Sequence, residues 1–177
     1  KGGCVKIGTC GKKSDVAALQ DLLVYALKGL SLYAVEGRKR GIKDEAADEF
    51  AVRALFSTLT NVNFAPERFV ALIHKCVEMR DNLKGRLKAG NNEFTDAAAH
   101  FKPADTIEDM VKQGEATTIT PAEVNADISS LEQTTLYGLK GIAAYAFHAK
   151  LLGYRNDEVY AYVHEALSSM LNKKLPL

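Results

Sequence analysis

Apolar residues recur along this chain at the spacing of an α-helix, and the densest such stretch occurs twice. Leu19–Ala34, with the sequence LQDLLVYALKGLSLYA, is apolar around most of its circumference when drawn as a helix. Leu131–Ala146, with the sequence LEQTTLYGLKGIAAYA, repeats it 112 positions later. The match continues without a gap as far as Leu59 and Leu171. The repeated unit is therefore a helical hairpin, and a repeat of this size sets the architecture.

Capping residues and glycines divide the first half of the chain into three predicted helices. Ser14 is expected to cap the first helix, which ends at Gly41. The second helix is expected over about 44–60. The third begins at Pro66, a favourable first helical residue, and ends near Gly90. Three helices with short connections favour an antiparallel bundle.

The second half is predicted to contain a linker and a bundle related to the first by the repeat. The linker is predicted over residues 91–120, because Gly90–Thr106 has weak periodicity. A short helix is expected within it at Thr106–Gln113, closed by Gly114. Thr120–Glu123 matches a capping box ahead of a long helix that ends near Gly153. Asn156 is expected to cap the last helix.

The predicted fold class is therefore all-α, with two antiparallel three-helix bundles related by an internal repeat. Residues 1–13 form a cysteine loop, 14–90 the first bundle and 91–120 the linker. Residues 121–177 form a second bundle that is incomplete at its C-terminal end. Valine and isoleucine occur at helical rather than alternating spacing, so no strand is predicted.

Gly29 and Gly141 interrupt both copies of the repeated helix at the same position. Glycine inside a helix costs about 1 kcal/mol relative to alanine. Its recurrence predicts the close approach of another helix, and a ligand that approaches the backbone is the alternative. Lys28 and Lys140 precede these glycines and are expected to extend along the edge of a bundle with their amines in water.

The composition is that of an ordinary globular protein, with 47% hydrophobic and 25% charged residues. A net charge of +1 gives no electrostatic case for binding nucleic acid or an anionic membrane. No uninterrupted apolar run reaches the roughly 18–20 residues of a membrane span, and no signal-peptide pattern is present. The 3 cysteines do not form a disulfide framework, which favours a reducing, cytoplasmic compartment.

Cys4 and Cys10 are the candidate metal ligands. They flank five residues in the glycine-rich loop Cys-Val-Lys-Ile-Gly-Thr-Cys, and thiolates from such loops are the usual iron–sulfur ligands. Two cysteines are half of a site, because zinc or a cubane cluster needs four ligands. Two free thiols in a frayed segment are the alternative. Cys76 falls on the apolar stripe of the third helix and is predicted to be a core residue.

The histidines have no partner at the spacing of metal ligands and are predicted to be surface or capping residues. They are His74, His100, His148 and His164. The chain has no nucleophile elbow, phosphate-binding loop, dinucleotide fingerprint or zinc-protease motif. From its residues alone, this is an all-helical domain with a partial metal loop.

The order of the motifs resembles the N-terminal helical domain of the hybrid-cluster protein family, the prismane proteins or hydroxylamine reductases. The motifs are Cys-(five residues)-Cys-Gly-Lys, Leu19-Gln-Asp-Leu-Leu, Leu27-Lys-Gly, Leu55-Phe-Ser-Thr-Leu-Thr-Asn-Val-Asn-Phe64, and Gly138-Leu-Lys-Gly-Ile-Ala-Ala-Tyr-Ala146 with His148-Ala149. The resemblance covers nearly the whole chain. It implies two three-helix bundles, in agreement with the repeat.

The resemblance also implies a site and an activity. In that family four cysteines near the N-terminus hold a [4Fe–4S] cluster, and Cys4 and Cys10 match the third and fourth. The first pair is absent from this sequence, as are the domains with the hybrid iron–sulfur–oxygen cluster where reduction occurs. The family implies a cytoplasmic oxidoreductase that reduces hydroxylamine to ammonia, or nitric oxide. This chain would be its scaffold and electron-entry domain, inactive alone, with the remaining domains, an electron donor and a small nitrogen-oxide substrate as partners.

Two alternatives stay open at this point. Nickel carbon monoxide dehydrogenases have a helical domain of similar architecture, although Leu27-Lys-Gly and Phe56-Ser-Thr-Leu-Thr-Asn favour the hybrid-cluster protein family. A non-catalytic helical interaction module, whose cysteine loop is incidental, is the alternative outside the enzymes. Iron-dependent colour in the full-length protein distinguishes an iron–sulfur enzyme from such a module.

Overall fold

The computed structural model describes residues 6–87, 94–118 and 126–171. This part of the chain folds into α-helices and contains no β-strand, which confirms the all-α class. The helices are α1 (Ser14–Lys39), α2 (Glu45–Ser57), α3 (Pro66–Leu87), α4 (Ile107–Thr118), α5 (Ala126–Leu151) and α6 (Asp157–Ser169). A short 3₁₀ helix, Ala97–His100, precedes α4.

The predicted repeat is present in the helix boundaries. α1 and α5 have 26 residues each, α2 and α6 have 13 each, and every boundary is displaced by 112 residues. A glycine with positive φ follows the first helix of each pair, +72° at Gly41 and +86° at Gly153. Asp44 and Asn156 then cap α2 and α6, accepting hydrogen bonds from backbone N–H groups of the first turn. The sequence signals that end and begin these helices are local, and both copies obey them.

The start of α1 differs from the prediction by one residue. Ser14 is the first helical residue and not the cap; Lys13 occupies the cap position and makes no side-chain capping hydrogen bond. A lysine side chain carries no acceptor, so this helix begins without a side-chain cap. Asp15 places a carboxylate in the first turn, at the positive end of the helix dipole. The predicted capping box at Thr120–Glu123 lies outside the described residues.

The sequence predicts that Gly114 ends the short helix, but in the structure Gly114 lies inside α4. α4 crosses α1 so closely at this point that a Cβ atom on Gly114 would be 2.1 Å from the carbonyl oxygen of Ala18. Gly29 on α1 makes a similar contact, where a Cβ atom would be 2.1 Å from the carbonyl oxygen of Ala98. The packing role predicted for Gly29 is confirmed, and the same role explains Gly114.

α1 is the central helix of the described structure. α3, α4, the 3₁₀ helix and α6 pack on it, whereas α5 packs mainly on α2. By length and hydropathy α1 also resembles a membrane span, but most of that apolar stretch is buried among its neighbours, as in a core helix. The segment predicted as a linker contains the 3₁₀ helix and α4, which contribute Ala98, Ala99 and Met110 to the core. The division into two three-helix bundles stays a prediction.

A buried network of polar side chains joins α1, α2 and α6. Asp48 is 2% exposed and pairs with Arg38 at 2.7 Å and with Arg155 at 3.0 Å. His164 is fully buried, with Nδ1 2.9 Å from the hydroxyl of Ser31 and Nε2 3.3 Å from Asp48. The prediction of a surface or capping role is therefore wrong for His164, because α6 turns this face toward α1. The other three histidines are exposed, as predicted.

Candidate metal centre

Cys10 lies in a tight turn that precedes α1. Within this turn the N–H of Gly11 donates to the carbonyl of Gly8 at 2.8 Å, and the N–H of Gly8 donates to the carbonyl of Lys12 at 2.7 Å. Gly11 has a φ of +84°, a conformation that glycine adopts without strain. An isolated antiparallel bridge closes the base of the turn. The glycines of the loop thus fold the chain back on itself and leave Cys10 partly exposed beside the helices.

Cys4, the other predicted ligand, lies outside the described residues. Cys10 is free of a disulfide. Within residues 6–87, 94–118 and 126–171, no group of three or more histidine, cysteine, aspartate or glutamate side chains could hold a metal ion. The described residues therefore supply one thiol of the predicted site.

A pocket of about 370 Å³ opens beside Cys10, between the turn, α1 and α5. Two lysines line it. Lys12 is 6% exposed, and its amine donates to the side-chain carbonyl of Gln20 at 2.7 Å. Lys140 reaches the pocket from α5; burial lowers its pKa, and the nearby carboxylate of Asp21 partly opposes that shift. The thiol of Cys10 thus shares a partly enclosed space with two amines.

A sequence profile of the Prismane/CO dehydrogenase family matches residues 1–177. The chain belongs to this family. It is similar to hydroxylamine reductases of Syntrophobacter fumaroxidans, 53% identical over 178 residues, and Methanocella arvoryzae, 49% identical over 179 residues. Each match covers 99% of this chain and 33% of the relative. A hydroxylamine reductase of Thermodesulfovibrio yellowstonii is 44% identical over 173 residues, which cover 94% of this chain and 32% of the relative. The chain thus spans about a third of the length of these curated relatives.

The prismane family implies iron–sulfur chemistry, and the described residues fit such a group by donor type. Cysteine thiolate is the usual ligand of these clusters, and Cys10 offers one from a glycine-rich turn. The same pocket is lined by Lys12 and Lys140, whose positive charge is compatible with the negative charge of a thiolate-bound cluster. The chemistry of the pocket therefore suits the group that the family implies.

The two lysines are the part of the pocket beside Cys10 that sequence reasoning missed. Lys12 follows Cys10 by two residues, so the sequence alone shows that the two residues lie close together. Lys140 was expected only at the edge of a bundle. Its place in the pocket depends on how α5 lies across the turn, and no local pattern in the sequence carries that information.

Cys76 is a core residue, as predicted. It is fully buried on the inner face of α3. Burial raises the pKa of its thiol, and the charge of Arg80 only partly opposes this shift. Because the thiolate is the form that binds metal, a buried and protonated thiol is a poor ligand.

Replacing Cys76 by alanine is expected to reduce the free energy of unfolding by about 1–2 kcal/mol, because it leaves a small cavity in the core. The iron content of the purified full-length protein should stay the same. Urea denaturation followed by circular dichroism measures the first quantity, and an iron assay measures the second. Loss of iron in this variant would show that the core assignment is wrong.

A hydrolase catalytic triad contains the same three residue types as Ser31, His164 and Asp48, but here a substrate cannot reach the serine. The hydroxyl of Ser31 and both ring nitrogens of His164 lie between α1, α2 and α6, and both residues are fully buried. A catalytic serine must meet its substrate, so this arrangement supports a structural role.

Proposed function

We propose that this chain is the N-terminal scaffold and electron-entry part of an iron–sulfur oxidoreductase that reduces hydroxylamine to ammonia. The whole enzyme is called the parent protein below. Three relatives named hydroxylamine reductase, 44–53% identical across nearly all of this chain, support the proposal. The observation that carries it is the position of Cys10, held by a glycine turn at a pocket lined by two amines. Nitric oxide is the alternative substrate in this proposal.

The reaction defines what the parent protein must bind. Reduction of hydroxylamine breaks the N–O bond, consumes two electrons and two protons, and yields ammonia and water. Electrons must therefore reach the catalytic domains from an external donor. The proposal assigns that entry point to this chain, and the hybrid iron–sulfur–oxygen cluster to domains of the parent protein outside it.

Cys10 and Cys4, with two cysteines from outside this sequence, would hold a [4Fe–4S] cluster. When bound, such a cluster accepts and donates one electron at a time. Gly8 and Gly11 fix the backbone around the thiol of Cys10. The amines of Lys12 and Lys140 would offset the negative charge of the thiolates. The turn leads directly into α1, the central helix on which α3, α4 and α6 pack.

The proposed partners follow from this role. They are the remaining domains of the parent protein, a redox electron donor and a small nitrogen-oxide substrate. The role requires neither nucleic acid nor a membrane. The proposed location is the cytoplasm, where free thiols such as those of Cys10 and Cys76 stay reduced.

A nickel carbon monoxide dehydrogenase-like enzyme is the second candidate. The description of the matching family names carbon monoxide dehydrogenases as well as prismane proteins. The names of the three relatives favour hydroxylamine reduction over this candidate. A non-catalytic helical module is the candidate outside the enzymes.

The test is an assay of the full-length parent protein, purified without oxygen. Iron, acid-labile sulfide and ammonium are measured, with hydroxylamine as substrate and a reduced dye as electron donor. The expected result is a brown iron–sulfur protein that oxidises the dye by two electrons for each ammonium formed. Carbon monoxide oxidation without ammonium formation would favour the second candidate. A colourless protein free of iron would favour the helical module and contradict the proposal.

A further inference from the structure

Lys12 carries a positive charge in a buried position beside Cys10. It is 6% exposed, and its amine donates to the side-chain carbonyl of Gln20 at 2.7 Å. Gln20 is 4% exposed, and its amide donates to the backbone carbonyl of Asn63 at 3.4 Å. A buried ammonium group is costly unless an opposite charge lies near it, and the side chain of Gln20 is neutral. Gln20 therefore fixes the amine in place without cancelling its charge.

Lys140 brings a second amine to the same pocket from α5. It lines the pocket together with Cys10 and Lys12. Burial lowers the pKa of Lys140, Asp21 partly opposes that shift, and the positive charge of Lys12 adds to it. The two amines are thus near enough to repel each other in a partly enclosed space. An anion bound in the pocket would relieve this repulsion.

Lys28, the counterpart of Lys140 in the first half of the chain, lies in a different electrostatic environment. Burial lowers the pKa of this lysine, and the carboxylates of Glu132, Asp21 and Asp96 all oppose the shift. Lys28 is not one of the described residues that line the pocket. Three carboxylates therefore act on the charge of Lys28, whereas Lys140 shares its pocket with a second amine.

The repeat has a glutamate at the position that matches Gln20. This residue is Glu132 on α5, 112 positions later, and its charge acts on Lys28. Glutamate and glutamine have nearly the same shape, so the two copies differ at this position mainly in charge. The copy beside Cys10 has the neutral side chain, which leaves the positive charge of the pocket in place.

We propose that Lys12 and Lys140 raise the reduction potential of the [4Fe–4S] cluster that Cys10 would help to hold. The reference is the potential with neutral side chains at both positions. Gln20 is a positioning residue, because it holds the amine of Lys12 and adds no negative charge. The inference rests on the proposed function, since it needs a cluster at Cys10.

The physical reason is the change of charge on reduction. Each electron that enters adds one negative charge to the cluster. The potentials of iron–sulfur clusters depend on net charge, hydrogen bonding and solvent exposure. A nearby positive charge stabilises the reduced form more than the oxidised form, and the effect is larger where water is largely excluded. A higher potential makes the electron-entry site a better acceptor for an external donor. Neither amine has to gain or lose a proton.

The first test is a redox titration of the full-length parent protein, followed by the electron paramagnetic resonance signal of the reduced [4Fe–4S] cluster. Gln20→Glu places a carboxylate against the amine of Lys12 with little change of shape, and Lys140→Gln removes the second charge. Each substitution should lower the ratio of reduced to oxidised cluster about tenfold at a fixed ambient potential, a shift of about 59 mV for one electron. Potentials equal to that of the unmodified protein in both variants would overturn the proposal.

Two further variants separate charge from structure. Lys140→Arg keeps the positive charge and should keep most of the original potential. Lys28→Gln removes the matched lysine outside the pocket and should leave the potential unchanged. If Lys140→Arg lowered the potential as much as Lys140→Gln, charge would not be the cause. If Lys28→Gln lowered it as much, the pocket would not be the source. Either result would refute the proposal.

Iron and acid-labile sulfide are measured on the same samples. The variants remove no thiol, so their iron content should equal that of the unmodified parent protein. An unmodified parent protein free of iron would refute the proposed function and this inference together. Full iron content with unchanged potentials would refute this inference alone and leave the assignment of Cys10 intact.

Discussion

Replacing Asp48 by alanine is expected to lower the free energy of unfolding by about 3–5 kcal/mol. This carboxylate is 2% exposed and pairs with Arg38 on α1 and with Arg155 in the loop between α5 and α6. Its removal takes away the carboxylate paired with Arg38, whose side chain is only 17% exposed. Arg155 loses the buried one of its carboxylate partners and keeps Glu49 and Asp157. His164 loses its neighbour at 3.3 Å in the same step. The network joins α1, α2 and α6, so its loss should weaken the packing of all three helices.

The matched control is Asp157→Ala. Asp157 also pairs with Arg155, at 2.9 Å, and with Lys43, but its side chain is 53% exposed. Ion pairs in contact with water contribute little, so this variant should stay close to the original protein. Urea denaturation followed by circular dichroism gives both values. Equal losses for the two variants would mean that burial does not govern the network.

Gly29→Ala is expected to lower the free energy of unfolding by about 1–3 kcal/mol, the usual range for overpacking a core. The added Cβ atom would be 2.1 Å from the carbonyl oxygen of Ala98 and 2.8 Å from its carbon, so the 3₁₀ helix must move. That movement also stretches the hydrogen bond from Tyr33 to the carbonyl of Ala99. The loss should appear although alanine is the better helix former.

Gly85→Ala is the control, for which the free energy of unfolding is expected to change in the opposite direction. It lies in α3 at an exposed position, and a Cβ atom there meets nothing within 4 Å. Alanine in place of an exposed helical glycine should raise the free energy of unfolding by up to about 1 kcal/mol. Denaturation curves of the two variants under the same conditions measure the difference. A change of the same sign in both would show that the contact between Gly29 and Ala98 is not tight.

The helices of the repeat could be predicted from the sequence because their signals are local. Gly41 and Gly153 end the first helix of each pair, and Asp44 and Asn156 begin the second. Predictions failed where a distant element decides the outcome. Gly114 continues a helix because α4 crosses Ala18, a contact that no property of α4 alone reveals.

The environment of a side chain was harder to predict than its secondary structure. The sequence around His164 does not distinguish it from a histidine on the exposed face of a helix. His164 is buried because α6 packs on α1. The candidate site divides in the same way. Cys10 was found from its glycine-rich loop, whereas Lys140 joins the pocket only through the placement of α5. Cys4 stays a prediction, since it lies outside the described residues.

The most direct test of the proposed role is the iron and acid-labile sulfide content of the full-length parent protein with Cys10→Ala, compared with Cys76→Ala. Both variants remove one thiol, the first from the turn and the second from the core. If Cys10 is a ligand of a [4Fe–4S] cluster, its loss should remove about four iron atoms and four sulfides per chain. Cys76→Ala should keep the full content. Unchanged iron and sulfide in the Cys10 variant would contradict the assignment of this chain as the electron-entry domain.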